Sequence, residues 1–188
     1  MATIDARAFH RAHSAGESLT VILVLGGAGS GKSRFAESLC NAPRSYIATA
    51  QEFDDEMRQR IVKHKNDRGD NWQTLEAPLD LVAALSTAKG DVLVDCLTLW
   101  LTNLVMAEKD VDAEIEMLLG ALRMHTQKIV IVSNELGLGL VPEHGLSRRF
   151  RDQHGMMNQR VAQVATCVVF VMAGIPQIIK GRLPELLK

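Results

Sequence analysis

The run Val21–Ser38, Val-Ile-Leu-Val-Leu-Gly-Gly-Ala-Gly-Ser-Gly-Lys-Ser-Arg-Phe-Ala-Glu-Ser, constrains this chain more than any other stretch. A short apolar, β-branched segment leads into glycines, and an amphipathic segment follows them, the order strand, tight loop, helix. Gly26, Gly31, Lys32 and Ser33 fit G-x-x-x-x-G-K-[ST]. Glycines let the backbone fold so closely that several N–H groups point into one concavity, an anion-binding nest. The helix beginning near Gly31 adds its positive dipole end. The candidate phosphate cradle is therefore Gly26, Gly27, Ala28, Gly29, Ser30 and Gly31. Lys32 reaches the β- and γ-phosphates in such a loop, and Ser33 places a hydroxyl on Mg²⁺.

The rest of the chain alternates strand and helix patterns. Strands are expected at Val21–Leu25, Ser45–Thr49, Trp72–Glu76, Asp91–Asp95, Lys128–Val132 and Cys167–Met172, with an edge strand at Ile175–Ile179. Helices are expected at Lys32–Leu39, Asp54–Lys65, Pro78–Thr87, Leu97–Ala107, Asp112–Met124 and Leu146–Ala165. The apolar Leu97–Ala107 segment predicts burial or a subunit contact. Such alternation means an α/β fold with a mostly parallel sheet covered by helices on both faces. Ligands of these sheets bind beyond the carboxyl ends of the strands. Gly26–Ser33, Thr49-Ala50-Gln51, Glu76, Asp95 and Asn134-Glu135 are the residues placed there.

Asp95 ends an apolar strand downstream of the glycine loop, where nucleoside triphosphatases place the acid that holds Mg²⁺. Its bland alternative is an N-cap for the Leu97–Ala107 helix. Glu135 is the rival acid, with positioning of a water or hydroxyl as its other role. Met57, Ile61 and His64 share one face of the Asp54–Lys65 helix, so His64 points with the apolar face into the protein. A neutral imidazole is a nucleophile toward phosphorus. From spacing alone, a histidine satisfying a helix C-terminus is the weightier reading. Lys65-Asn66-Asp67 is similar to K-x-D-G, but Arg68 stands where glycine belongs, so that likeness is discounted.

Composition sets limits. The 188 residues suit one domain, 20–188, preceded by a frayed N-terminal extension, 1–19, that lacks an apolar signal core. A net charge of −1, with two Trp, one Tyr and five Phe, gives neither the basic footprint nor the stacking surface of a nucleic-acid binder. No run has the length of a membrane span. Cys40, Cys96 and Cys167 lie in apolar contexts without C-x-x-C spacing and read as reduced core residues of a cytoplasmic protein.

Further motifs follow the glycine loop in order: Tyr46-Ile47-Ala48-Thr49-Ala50, Asp54-Asp55-Glu56-Met57, Arg60-Ile61, His64, and Trp72 to Glu76. Then come Asp95-Cys96-Leu97-Thr98, Thr102-Asn103-Leu104, Ser133 to Pro142, Phe150-Arg151-Asp152 and Asn158-Gln159-Arg160. Together they resemble the bifunctional adenosylcobinamide kinase/adenosylcobinamide-phosphate guanylyltransferase family of cobalamin biosynthesis, over about residues 20–180. The resemblance implies a RecA-like P-loop NTPase core, a homo-oligomer, and ATP or GTP as substrates with Mg²⁺. It implies phosphorylation of adenosylcobinamide, then transfer of GMP from GTP to adenosylcobinamide phosphate, releasing pyrophosphate. His64 matches the position that carries GMP as a phosphoramidate, which reverses the weighting from spacing alone. Thr49, Ala50, Gln51, Lys65, Asn66, Asp67, Arg68, Glu76 and Asp95 fall where the family contacts guanine nucleotide and metal. The family commonly has arginine where Gly29 stands. The rival readings are a small-molecule kinase without nucleotidyl transfer, which predicts a dispensable His64, and a nucleotide-gated switch. A degenerate, structural P-loop protein is a further rival, opposed by the intact Lys32, Ser33 and Asp95.

Overall fold

The computed structural model describes residues 20–51, 58 and 71–183. Apart from Arg58, the expected helix Asp54–Lys65, with His64, and the residues Lys65, Asn66, Asp67 and Arg68 lie outside the described residues, as do residues 1–19. The described elements are β1 (Val21–Gly26), α1 (Lys32–Ser38), β2 (Arg44–Ala48), β3 (Gln73–Glu76), α2 (Leu81–Thr87) and β4 (Asp91–Asp95). They continue with α3 (Leu97–Met106), α4 (Val111–Met124), β5 (Ile129–Asn134), α5 (Gly145–Val164), β6 (Cys167–Met172) and β7 (Ile175–Lys180).

One seven-stranded sheet has the order β3-β2-β4-β5-β1-β6-β7. Every pairing is parallel except β6 with β7. The central strands read as unbroken apolar runs because both of their faces are covered. Side chains alternate across the sheet. Val21, Leu23, Leu25, Ile129 and Ile131 face the larger core with Leu81, Leu85, Trp100, Leu101, Ile115, Leu118 and Met157 of α2, α3, α4 and α5. Ile22, Val24, Leu93, Val130 and Val132 face the other, with Ala36 and Leu39 at α1. Helices on both faces of a mostly parallel sheet are thus observed.

One expectation changes in detail and another is narrowed. Pro78 does not open a helix. Its carbonyl accepts from Asn103 Nδ2 at 2.9 Å, and Leu81 N donates to Leu79 O at 2.9 Å, so the chain makes a tight turn before α2 starts at Leu81. The apolar α3 segment is explained by burial within the chain: Leu97, Trp100, Leu101 and Leu104 are fully enclosed. At α4 the cap is Asp110, whose carboxylate accepts from Ala113 N at 3.1 Å, a contact contributing about 1 kcal/mol.

Candidate active site

Strand β1 ends at Gly26 because only glycine fits there. A Cβ would lie 2.5 Å from Val171 O and 2.6 Å from Ser30 Oγ. Gly29 and Gly31 have φ of 69° and 90°, the left-handed region that glycine enters without penalty. A Cβ on Gly31 would also press on Gly174 Cα at 3.2 Å. Gly174 N donates to Ser30 O at 2.8 Å, so the β6–β7 turn supports the loop from behind. Ser30 Oγ is buried and has no hydrogen-bond partner among the described residues. Lys32 Nζ bridges back over the loop to Gly27 O at 3.2 Å, and Ser33 follows in the first turn of α1.

Asp95 ends β4 on the same sheet face as α1, since its parity is that of Leu93. The residue in the N-cap position of α3 is Cys96, and no side chain caps the helix. Asp95 is therefore not the cap. One of its oxygens, Oδ2, accepts from Tyr46 Oη–H at 2.8 Å. Tyr46 is set in turn by an edge-to-face contact with Trp72 (centroids 5.9 Å apart), over which Arg44 lies at 4.2 Å. Burial, followed by the charge of Asp95, pushes the Cys96 thiol up to about 11, so it stays protonated at neutral pH.

Thr49 is buried, and its polar groups are engaged within the protein. Its hydroxyl accepts from Cys96 N and donates to Cys96 O, both at 2.8 Å. Its N–H donates to Asp95 O at 3.2 Å, and its carbonyl accepts from Asn103 Nδ2 at 2.7 Å. Thr49 and Asn103 thus bolt the ends of β2 and β4 together. Ala50 and Gln51 continue half-buried beyond that bolt, and Glu76 ends β3 two strands from Asp95. Glu135 Oε1 accepts from Gly137 N at 2.6 Å, which holds its carboxylate against its own loop.

Sequence reasoning gave no role to a buried polar cluster at the end of β5. Thr98 Oγ1 lies 3.0 Å from His154 Nε2 and accepts from Asn134 N at 2.9 Å. Ser133 Oγ–H donates to Asn158 Oδ1 at 2.8 Å, while Asn158 Nδ2 donates to Asn134 O at 3.0 Å. Burial lowers the His154 pKa, with the charge of Glu135 acting in the other direction. The only sequence signal was polar residues inside the otherwise apolar α3 and β5 stretches. Among the described residues, no group of three or more His, Cys, Asp or Glu side chains gathers to hold a metal ion.

A profile of the family "Cobinamide kinase / cobinamide phosphate guanyltransferase" matches residues 22–179. The bifunctional adenosylcobalamin biosynthesis protein CobP of Pseudomonas aeruginosa is 48% identical over 167 residues, covering 85% of this chain and 96% of that protein. The CobU proteins of Salmonella typhimurium and Escherichia coli are 43% and 41% identical, each over 85% of this chain and 99% of their own. Among solved structures, the flagellar accessory protein FlaH from Methanocaldococcus jannaschii aligns with 87% of this chain and 79% of its own, at 14% identity and a TM-score of 0.49. The residues matched by the profile run from β1 to β7 and take in the glycine loop, Asp95 and the β5 end, and the chain belongs to the cobinamide kinase/cobinamide phosphate guanyltransferase family.

Proposed function

We propose that the glycine loop is the triphosphate site for both reactions of this bifunctional enzyme. One observation carries the reading. A loop built on Gly26 and Gly31, with a buried, partnerless Ser30 hydroxyl among the described residues, shares a sheet edge and face with a carboxylate already oriented by Tyr46. The backbone of Gly26 to Gly31 cradles the phosphates, Lys32 neutralises the β- and γ-phosphates, and Ser30 donates its hydroxyl to a phosphate oxygen. Ser33 and Asp95 hold Mg²⁺. The hard oxygens of a hydroxyl and a carboxylate suit that ion, and nucleotide oxygens complete the shell. When bound, the ion offsets the charge that develops on the phosphates.

In the kinase step the cobinamide hydroxyl receives the γ-phosphoryl group of ATP or GTP. In the second step, His64 attacks the α-phosphorus of GTP and carries GMP as a phosphoramidate, while Lys32 and the loop stabilise the departing pyrophosphate. Cobinamide phosphate then takes GMP from His64, giving adenosylcobinamide-GDP. Ala50, Gln51, Lys65, Asn66, Asp67, Arg68 and Glu76 line the guanine nucleotide, with Thr49 anchoring the first of them. The test is Lys32→Ala, which lowers both reactions by at least about 100-fold. A loss confined to one reaction contradicts a shared site. A homo-oligomer belongs to the same reading, supported by the exposed Ile175, Ile178 and Ile179 on β7.

A further inference from the structure

The strand that ends in the glycine loop and the strand that ends in Asp95 are not neighbours. β5 lies between them. Whatever residue ends β5 is thereby flanked by the phosphate nest on one side and the acid on the other. That residue is Asn134, level with Gly26 across the β1–β5 ladder. Alternation assigns its side chain a face. Ser133 points with Ile129 and Ile131 toward α5, where it meets Asn158. Asn134 therefore points with Val130 and Val132 toward the α1 face, the face of Lys32, Ser33 and Asp95.

Its backbone is held at every polar group while its carboxamide is left available. Asn134 N–H donates to Thr98 Oγ1, Asn134 C=O accepts from Asn158 Nδ2, and the next N–H, of Glu135, donates to Gly26 O at 3.1 Å. The carboxamide itself is half-buried and has no hydrogen-bond partner among the described residues. Thr98 Oγ1 accepts from Asn134 N–H and lies 3.0 Å from His154 Nε2, so the imidazole packs against the hydroxyl that holds the Asn134 backbone. A donor so placed and so held resembles the preorganised groups that stabilise charge as it develops in a transition state.

Resting on the reading that this loop binds the triphosphate, we infer that Asn134 is a catalytic residue of the kinase step, donating Nδ2–H to an oxygen of the γ-phosphoryl group in flight. The cobinamide hydroxyl oxygen forms the new P–O bond, and the bond from the γ-phosphorus to the bridging oxygen breaks. Its electron pair leaves with the nucleoside diphosphate, and the hydroxyl proton passes to water. Thr98, His154 and Asn158 are positioning residues that act through the Asn134 backbone. GMP transfer is centred on the α-phosphorus and does not draw on this donor.

The test compares Asn134→Ala, Thr98→Val, Thr98→Ser and the double variant Asn134→Ala/Thr98→Val in the full-length protein. The readouts are γ-phosphoryl transfer from ATP to cobinamide, protein labelling by α-³²P-GTP, and thermal midpoint. Asn134→Ala lowers the kinase kcat at least about 30-fold, leaving the ATP KM and GMP labelling within about threefold. Thr98→Val lowers the same kcat, Thr98→Ser restores it, and the double variant is no slower than Asn134→Ala alone, as expected of residues acting as one unit. The inference is overturned by a wild-type kcat in Asn134→Ala, by equal loss of both reactions, or by additive losses in the double variant. Failure of the two-step reading shows separately, in wild-type protein that does not transfer phosphate from ATP or takes no label from GTP.

Discussion

Tyr46 and Asp95 show how a single hydroxyl prepares a carboxylate. With Oδ2 engaged by Tyr46, Asp95 has its other oxygen to offer, and outer-shell hydrogen bonds of this kind change metal affinity about 10- to 100-fold. Tyr46→Phe keeps the ring against Trp72 and removes only the donor. Its Mg²⁺ requirement rises about tenfold, read from Mg²⁺ titrations of turnover and from Mn²⁺ binding in the presence of GDP. Glycine positions separate in the same way. Gly29→Ala meets open space and suffers only the left-handed φ, about 1 kcal/mol, whereas Gly31→Ala also meets Gly174 Cα. Calorimetry with GTP distinguishes them, Gly31→Ala losing more affinity and more stability. At this scale the glycine loop was legible because its motif is local. Asp95 was legible as an acid ending a strand, but that it does not cap α3 needed the structure. His154 was not legible at all, because its partners Thr98 and Ser133 are distant in sequence and met only when β5, α3 and α5 packed.

Helix α3 carries the opposite lesson. Its apolar residues allowed two readings, and packing chose the internal one. Trp100 is fully buried and donates Nε1–H to Leu79 O at 2.9 Å. Trp100→Ala therefore costs about 3–5 kcal/mol of folding stability, measured by urea denaturation. Helix starts were less legible than helix existence. Pro78 suits a first helical turn, yet tertiary contacts with Asn103 hold it outside α2. Helix α5 gives the structure a pH response. Burial lowers the pKa of His154, and of His125 after α4. The unfolded chain protonates these imidazoles near the ordinary value of about 6.5, while the folded chain resists. Stability is therefore constant with respect to these groups above that pH and declines as pH falls below it. Denaturation between about pH 5 and 8 shows a shallower acid-side slope in His154→Gln than in wild type; equal slopes would contradict the assignment.

For the molecule as a whole, alternating strand and helix patterns were enough for the sheet class, and the antiparallel β7 was expected as an edge strand. The strand order was not legible, and it is what puts β5 between the glycine loop and Asp95. Exposed Ile175, Ile178 and Ile179 on β7, with Leu138 and Leu140 beyond β5, leave apolar surface at two places. Sedimentation equilibrium gives an oligomer mass, and a monomer at micromolar concentration contradicts the proposed assembly. Above all, the proposed function has one loop feed two chemistries through different phosphorus atoms, with His64 as the carrier in the second. The decisive experiment incubates wild type and His64→Ala with α-³²P-GTP and Mg²⁺. The expected result is a protein-bound label in wild type that is acid-labile, alkali-stable and absent from His64→Ala, while phosphate transfer from ATP to cobinamide persists in both. Wild-type protein that phosphorylates cobinamide but takes no label, or His64→Ala that labels as wild type does, would contradict it.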